Sequence, residues 1–280
     1  MSTTITATPA TDAQERCSYM LTLAYKGAGF SGFARQNDPA VRTIQEELEQ
    51  ALAVALRLDT PPQTVCAGRT DAGVHAAAQV VSFDLPLLLD TRQCNQLLRS
   101  LNALTCAEIS IAGLRRAAPG FSARFDALSR SYCYRIFNQV QPPIFTADFA
   151  WHVARPLDVQ QMRLAADQLL GEHDFASFCS ALAAKQAADE GKSTRRTLTQ
   201  IDIATQQCLG EEVLAITVTG NAFLHSMVRI IVGTLQEVGA GKRAASEIPA
   251  ILAARDRSAA GLTAAACGLT LQRVEYPAHK

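Results

Sequence analysis

The sequence predicts an α+β protein whose sheets are mixed or antiparallel. Short β-branched runs alternate along the chain with stretches of helical periodicity. Some connections, such as the one that ends at Gly73 to His75, are too short for the crossover that a parallel strand pair requires. The 280 residues are 48% hydrophobic and 19% charged, which is typical of a folded globular chain of about two domains.

The first half of the chain carries six predicted elements and closes near residue 118. Residues 19–24 form a strand that ends at a cluster of glycines. Thr43 and Glu46 form a capping box in front of a helix at residues 44–56. The remaining elements are strands at 65–67, 75–85 and 109–114 and a helix at 91–104.

The second half repeats this alternation without a detectable sequence repeat. Its strands are predicted at residues 131–138, 197–205, 212–219 and 270–276, and its helices at 158–170, 222–238 and 245–254. The sequence therefore predicts a flexible tail at residues 1–17, an N-terminal half at 18–118 and a C-terminal half at 119–280.

Composition excludes several classes of protein. Twenty-six basic residues balance 26 acidic ones, so net charge does not indicate a nucleic-acid partner. No window approaches the roughly 18 uninterrupted apolar residues of a membrane-spanning helix, and the N-terminus lacks the apolar core of a signal peptide. The eight cysteines never form a Cys-x-x-Cys pair, so we expect buried free thiols. The sequence predicts a cytoplasmic protein with no membrane partner.

Common catalytic motifs are also absent from the sequence. It contains no Walker loop, no Gly-x-Gly-x-x-Gly after a strand, no Gly-x-Ser-x-Gly and no His-Glu-x-x-His. His173-Asp174 and the pair His152 with Cys179 are candidates for a metal site. Because they lack the spacing of metal ligands, packing roles are favoured and no metal is expected.

The most distinctive local feature is a glycine-bracketed loop at residues 67–76, AGRTDAGVHA. The glycines let the backbone turn tightly and hold Arg69 and Asp71 between two strands. Taken alone, this spacing is more typical of an ordinary Asp-Ala-Gly turn in which Asp71 bonds its own backbone. His75 is likewise more typical of a structural histidine than of a catalyst.

A second feature is the predicted helix at residues 222–238, which is almost entirely apolar but carries Arg229 in its middle. A buried arginine is costly unless a carboxylate or a phosphate meets it, so this helix requires an acidic partner. Asn221, His225 and Arg229, spaced by four, predict one polar stripe facing a cleft. A structural ion pair accounts for Arg229 equally well.

Two tyrosines alternate on the predicted strand at residues 131–138. Tyr132 and Tyr134 share one face of the strand, and Cys133 takes the other. Tyrosines beside arginines stack nucleobases in platforms that bind single-stranded RNA. Core tyrosines with a bonded hydroxyl are more common, so both interpretations stay open here.

Residues 67–76 resemble the signature of the TruA family of tRNA pseudouridine synthases. The resemblance runs in order from residue 18 to residue 276. The further matching blocks are Tyr25 with Gly27, residues 30–36, 43–45, 101–102 and 121–125, Tyr132 with Tyr134, and residues 173–175, 177–178, 221–233 and 268–269. The resemblance implies two ferredoxin-like halves flanking a central active-site cleft, a homodimer, and no need for a metal or an organic cofactor.

The resemblance also implies a reaction and its residues. Similar proteins isomerise uridine to pseudouridine on the 3′ side of the tRNA anticodon stem-loop, at positions 38–40. Carried over, Asp71 is the catalytic carboxylate, Arg229 is its basic partner, and Tyr132 stacks on the uracil. Arg69 fills the space that the target base leaves when it flips out of its stack.

Contacts with RNA or bases are implied for six further residues, which are Arg35, Gln36, Arg124, Arg195, Arg196 and Leu269. The chain departs from the family pattern at Ala34, where a polar residue is usual. Residues 181–192 are longer and more polar than the usual counterpart, which affects docking at Arg195 and Arg196.

Two other function classes remain as alternatives. The first is a tRNA-binding and folding module that has lost its chemistry, and the second is a cysteine- or metal-dependent hydrolase. The joint presence of Asp71, Arg229 and Tyr132 favours the enzyme over the inactive module.

Overall fold

The computed structural model describes residues 8–9, 16–38 and 40–278. These residues form an α+β fold with mixed strand pairing, as predicted. The chain divides into unit 1, which is Met1–Leu128 with Gln272–Lys280, and unit 2, which is Ser129–Leu271. The predicted tail at 1–17 lies outside the described residues, apart from residues 8, 9, 16 and 17.

Unit 1 is built on antiparallel strands. Its elements are β1 (Thr8–Pro9), β2 (Cys17–Tyr25), α1 (Ile44–Leu56), β3 (Thr64–Cys66), β4 (His75–Leu85), β5 (Leu87–Leu88), α2 (Thr91–Leu104) and β6 (Ile109–Arg116). Strand β2 lies between β6 and β4, β3 also pairs with β4, and β1 pairs with β5. The antiparallel pairing of β3 with β4 confirms the prediction made from their short connection.

Local sequence explains where the helices of unit 1 begin and end. The Thr43 hydroxyl accepts a hydrogen bond from the backbone N–H of Glu46, so α1 begins at Ile44. It ends where Arg57 adopts a left-handed conformation with φ of 54°. Helix α2 begins with a complete capping box between Asp90 and Gln93.

Unit 2 combines a four-stranded antiparallel array with packed helices. Its elements are β7 (Ser129–Phe137), β8 (Trp151–His152), α3 (Val159–Asp167), β9 (Gly171–Asp174), α4 (Ala181–Asp189), β10 (Arg195–Cys208), β11 (Glu211–Gly220), α5 (Met227–Gly239) and α6 (Ile248–Ala254), followed by β12 (Leu269–Glu275), which ends in unit 1. The strand order is β7-β11-β10-β9, and β8 runs parallel to β7. No helix among the described residues is long and apolar enough to cross a membrane.

The prediction of a helix at residues 222–238 was wrong at its start. Helix α5 begins at Met227, because Ser226 adopts a left-handed conformation with φ of 59°. The Asn221 N–H donates to the Thr197 carbonyl at 3.1 Å, which ties Asn221 to β10 rather than to the helix. Arg229 therefore lies in the first turn of α5 rather than in its middle.

Two other differences concern short helices. The polar stretch at residues 181–192, for which no helix is predicted, forms α4 at its start, capped by the Ser180 hydroxyl. None of the residues of α4 is buried, so apolar periodicity gives no signal there. The predicted helix at 245–254 is a 3-10 turn at Ala245–Glu247 followed by α6.

One carboxylate fixes the loop between β7 and β8. Glu211 accepts hydrogen bonds from the Thr146 hydroxyl at 2.6 Å and from the backbone N–H groups of Ile144, Phe145 and Thr146. The Thr146 hydroxyl and these N–H groups lower the pKa of Glu211 from 4.5 to about 2. Ile144 and Phe145 are exposed, although hydrogen bonds to Glu211 hold the backbone of this loop in place.

We expect Glu211→Gln to destabilise the protein at neutral pH and to make little difference in strong acid. The pKa of Glu211 is lower in the folded state, so the carboxylate stabilises the fold fully above about pH 4.5. That contribution disappears as the pH falls towards 2. Urea unfolding of both proteins at pH 7, 4 and 2.5 measures the difference. Glu212→Gln, which alters the exposed neighbouring carboxylate, is the matched control, and a pH-independent difference would contradict the role of the charge.

Candidate active site

The predicted catalytic residue lies in the connection between β3 and β4. Residues 67–74, here called the Asp loop, carry Asp71 as a partly buried side chain and Arg69 as an exposed one. The backbone N–H of Val74 donates to the carbonyl of Asp71 at 3.2 Å, and Gly73 has a φ of 77°. The turn expected from the Asp-Ala-Gly sequence is therefore present.

Buried side chains hold the Asp loop from below. Thr70 is buried, and its hydroxyl shares a hydrogen bond with the Tyr25 hydroxyl at 2.8 Å. Its carbonyl accepts from the backbone N–H of Phe33 at 3.1 Å. The amide nitrogen of Gln79 donates to the Gly68 carbonyl at 2.8 Å and to the Tyr25 hydroxyl at 3.3 Å. The residues on both sides of Arg69 are thus fixed to the strands.

Two glycines allow the segment after β2 to approach the Asp loop closely. A Cβ atom at Gly27 would overlap the carbonyl oxygen of Val74. Gly32 has a φ of 105°, and a Cβ there would lie 2.9 Å from the Thr70 carbonyl oxygen. The Gly27 N–H donates to His75 Nδ1 at 3.1 Å. His75 is buried and bonds to the backbone, as expected of a structural histidine.

Two arginines lie near the thiol of Cys66 in unit 1. Burial raises the pKa of Cys66 to about 11, and the positive charges of Arg69 and Arg124 oppose part of that rise. The thiol therefore stays protonated at neutral pH. Both arginine side chains are exposed, so this part of unit 1 presents positive charge to solvent beside the Asp loop.

Arg35 and Gln36, for which the family resemblance implies RNA contact, make contacts within unit 1. Arg35 pairs with Glu49 at 2.7 Å. Glu49 is buried and also accepts hydrogen bonds from the backbone N–H and the hydroxyl of Thr64, both at 2.9 Å. The Gln36 amide donates to the carbonyl of Ser31 at 2.8 Å. Half of the Arg35 side chain remains exposed.

In unit 2, Tyr132 is a buried residue of β7. Its ring packs edge-on against Phe223, with ring centroids 5.1 Å apart. Tyr134 is fully buried, and its hydroxyl donates to the carbonyl of Ala265 at 2.7 Å. Burial raises the pKa of Tyr134. The alternation predicted for this strand thus places two tyrosines with different surroundings on β7.

Arg229 bonds to the segment that precedes β12. Its Nε donates to the carbonyl of Ala264 at 2.8 Å, and its own carbonyl accepts from the Ala264 N–H at 3.1 Å. The side chain is only partly buried. The Ala264 carbonyl therefore gives Arg229 one hydrogen-bond acceptor, whereas the sequence predicts an acidic partner.

The predicted polar stripe of Asn221, His225 and Arg229 was wrong. Asn221 and His225 precede the helix, so spacing by four does not align them with Arg229. The side-chain carbonyl of Asn221 accepts from the Thr197 N–H at 3.1 Å. His225 Nδ1 shares a hydrogen bond with the Ser180 hydroxyl at 2.7 Å.

Arg195 and Arg196, at the start of β10, differ in their contacts. Arg195 forms an exposed ion pair with Glu172 at 2.7 Å. Arg196 donates to the backbone carbonyls of Ser193 and Arg195, and burial lowers its pKa. Leu269, also assigned to RNA contact, is buried at the start of β12.

Three of the four candidate metal residues make other side-chain contacts. His173 Nε2 shares a hydrogen bond with the carbonyl of Leu170, and His152 Nε2 shares one with the carbonyl of Gln139, both at 2.8 Å. Asp174 accepts from the Thr194 hydroxyl at 2.5 Å. Within residues 8–9, 16–38 and 40–278, no three His, Cys, Asp or Glu side chains cluster as metal ligands. All eight cysteines are free thiols, and half of them are buried.

Sequence reasoning missed several residues that shape these surroundings. Gln79 and Thr70 hold the Asp loop, and buried Arg130 donates to the carbonyl of Asn221 at 2.7 Å. A usable signal was the presence of polar side chains at positions of β4 and β7 that alternation predicts to be buried.

Comparison with known proteins identifies the family. A family model described as tRNA pseudouridine synthase matches residues 165–277. A Bacillus velezensis protein named tRNA pseudouridine synthase A is 42% identical over 255 residues, which are 91% of this chain and 97% of that protein. The chain belongs to the tRNA pseudouridine synthase family. Its relatives of the same name include proteins of Bordetella petrii, 42% identical over 92% of this chain and 90% of the relative, and of Frankia casuarinae, 44% identical over 92% and 88%.

The matched family model covers one part of the predicted site. Residues 165–277 include Arg195, Arg196, Arg229 and Leu269 but not Asp71. The tRNA pseudouridine synthase relatives extend the similarity to nine tenths of the chain.

We expect Gly27→Ala to destabilise this family member by about 1–3 kcal/mol or more, because the methyl group meets a main-chain oxygen that cannot rotate away. Gly29→Ala is the matched control, since Gly27–Gly29 form one 3-10 turn and a Cβ at Gly29 would meet only the end of the flexible Arg42 side chain at 3.8 Å. Chemical denaturation of both variants measures the two costs. Equal costs would contradict the close approach at Gly27.

Proposed function

We propose that this chain isomerises uridine to pseudouridine in tRNA, with Asp71 as the catalytic carboxylate. The observation that carries the proposal is the construction of the Asp loop in a member of this family. Hydrogen bonds to the Gly68 carbonyl, the Thr70 carbonyl and the Thr70 hydroxyl hold the loop in place, while Asp71 stays partly exposed. A fixed backbone that presents a reachable carboxylate suits a nucleophile.

The reaction requires one bond to break and one to form. The glycosidic bond between N1 and C1′ breaks, the uracil turns, and a bond forms between C5 and C1′. C5 loses a proton and N1 carries one in the product, so the isomerisation is redox-neutral. The ionised Asp71 carboxylate adds either to the sugar or to the base. From the sugar it is displaced as the C5–C1′ bond forms, and from the base it is eliminated as C5 loses its proton.

We assign roles in the same reaction to three further residues. Arg229 supplies a positive charge as the basic partner of the Asp71 carboxylate. Tyr132 stacks on the uracil and assists removal of the C5 proton. Arg69, two residues before Asp71, fills the position of the flipped base, and its exposed side chain is consistent with insertion into an RNA stack.

We also propose that the target uridines lie at positions 38–40, on the 3′ side of the anticodon stem-loop. Accepting several adjacent positions requires recognition of RNA shape and backbone more than of base sequence. Arg124 suits a phosphate contact because it is exposed. Arg196, which is partly buried, is proposed as a second phosphate contact. Arg35 and Arg195 form ion pairs with Glu49 and Glu172, so each would contact RNA while it is paired with a carboxylate. Gln36 and buried Leu269 act by shaping the surface nearby.

The same resemblance supports a proposal for the organisation of the molecule. The order β2-α1-β3-β4-α2-β6 in unit 1 is the βαββαβ order of a ferredoxin-like half. Unit 2 repeats this order in β7, α3, β10, β11, α5 and β12, with β8, β9, α4 and α6 as additions. We further propose a homodimer that acts on tRNA in the cytoplasm.

Mapping pseudouridine in an unmodified tRNA transcript before and after incubation tests the activity and its positions. We expect the wild type to form pseudouridine and Asp71→Asn to form none while binding tRNA with similar affinity. The amide keeps the shape of the side chain but is not an anionic nucleophile.

The control for Asp71→Asn is Asp59→Asn, which changes an exposed carboxylate in the turn after α1 and should keep full activity. Turnover by Asp71→Asn within about tenfold of the wild type, or about 1.4 kcal/mol of barrier, would remove Asp71 from the central role. A wild type that binds tRNA without forming pseudouridine would favour the inactive binding module.

For Arg229 we expect Arg229→Met to lose at least about tenfold more kcat than Arg229→Lys, because only lysine keeps the positive charge. Both substitutions remove the Nε donor that bonds to the Ala264 carbonyl, so their stability costs should be similar. Single-turnover rates and thermal unfolding of the two variants separate charge from structure. Equal rates at equal stability would show that the charge of Arg229 has no part in catalysis.

A further inference from the structure

Phe125 is an exposed aromatic residue in a segment that packs against the first residue of the Asp loop. The residue is 81% exposed, the largest fraction among the large apolar residues that the structure describes. It belongs to residues 121–128 of unit 1, here called the Phe125 loop. Phe121 and Ala123 of this loop are buried, whereas Arg124 and Phe125 point outward.

The Phe125 loop is fixed by its own hydrogen bonds. The backbone N–H of Ser122 donates to the Asp126 carboxylate at 2.9 Å, and the N–H of Asp126 donates to the Ser122 carbonyl at 3.0 Å. The carbonyl of Ala123 accepts from the Tyr276 hydroxyl at 2.7 Å. Phe125 is therefore exposed by a structured backbone, which makes its position reproducible from molecule to molecule.

The Phe125 loop packs against the base of the Asp loop. Phe121 and Ala123 share one apolar cluster with Val80 of β4 and with Ala67, the first residue of the Asp loop. The N–H of Ala67 donates to the carbonyl of Val80 at 2.8 Å. The two loops are thus anchored on the same part of unit 1.

One arginine lies against the exposed ring. The guanidinium carbon of Arg124 lies 5.4 Å from the centroid of the Phe125 ring, within the range of a cation–π contact. Arg124 also acts on the same Cys66 thiol as Arg69, the exposed arginine of the Asp loop. An aromatic face beside arginines is the combination that platforms for single-stranded nucleic acid use.

We propose that Phe125 stacks on a tRNA base that flanks the target uridine, while Arg124 contacts a neighbouring phosphate. The inference rests on the proposed function, because it needs an unstacked RNA segment at the Asp loop. Once the target base flips out, its neighbours lose a stacking partner. An exposed, pre-positioned ring replaces that partner at little cost in side-chain entropy.

Affinity for an unmodified anticodon-arm transcript tests the stacking role. We expect Phe125→Ala to weaken binding by about 5- to 150-fold, Phe125→Trp to restore it to within about threefold, and Phe125→Leu to remain weak because leucine has no aromatic face. The slope of log affinity against log salt should stay unchanged in Phe125→Ala and become shallower by about 1 in Arg124→Ala.

The matched control is Phe145→Ala, which truncates another exposed phenylalanine, in unit 2, and should bind like the wild type. An equal loss in Phe145→Ala, or full binding by Phe125→Leu, would overturn the stacking role. Unchanged affinity in Phe125→Ala would also overturn the stacking role, even if sedimentation showed that the variant has a different oligomeric state. These outcomes count against this inference when the wild type forms pseudouridine, whereas an inactive wild type counts against the proposed function.

Discussion

The candidate site depends on a buried polar contact among Tyr25, Thr70 and Gln79. Tyr25 belongs to β2, Gln79 to β4 and Thr70 to the Asp loop, so their hydrogen bonds join three segments at one point. A buried polar group that loses its partner costs about 1–3 kcal/mol, so such a contact strongly favours a single arrangement. The strands of unit 1 therefore hold the backbone around Asp71 in place.

Most of the fold could be predicted because its signals are local. Thr43 caps α1 and Asp90 caps α2 through residues three positions away, and periodicity shows which faces are buried. The start of α5 could not be predicted from local sequence. It depends on the left-handed conformation of Ser226 and on the hydrogen bonding of Asn221 to Thr197, which lies on β10. Helix α4 was missed because it buries none of its residues.

The candidate site was predictable only in part. The glycine-bracketed sequence indicates a tight turn that presents Arg69 and Asp71, and the structure contains that turn. The sequence does not show that Arg35 pairs with buried Glu49, because α1 supplies the carboxylate and packing alone brings the two together. The family resemblance supplies the chemical roles, since spacing does not distinguish a catalytic aspartate from one in an ordinary turn.

The close approach at Gly27 also limits how this chain can change during evolution. The atom that excludes a side chain there is the main-chain oxygen of Val74, and every amino acid at position 74 carries the same oxygen. At Gly239, by contrast, the nearest atoms belong to the flexible side chain of Met162, which a smaller residue would remove. Substitution at Gly239 is thus open to compensation by a second mutation, whereas at Gly27 no partner substitution removes the obstacle.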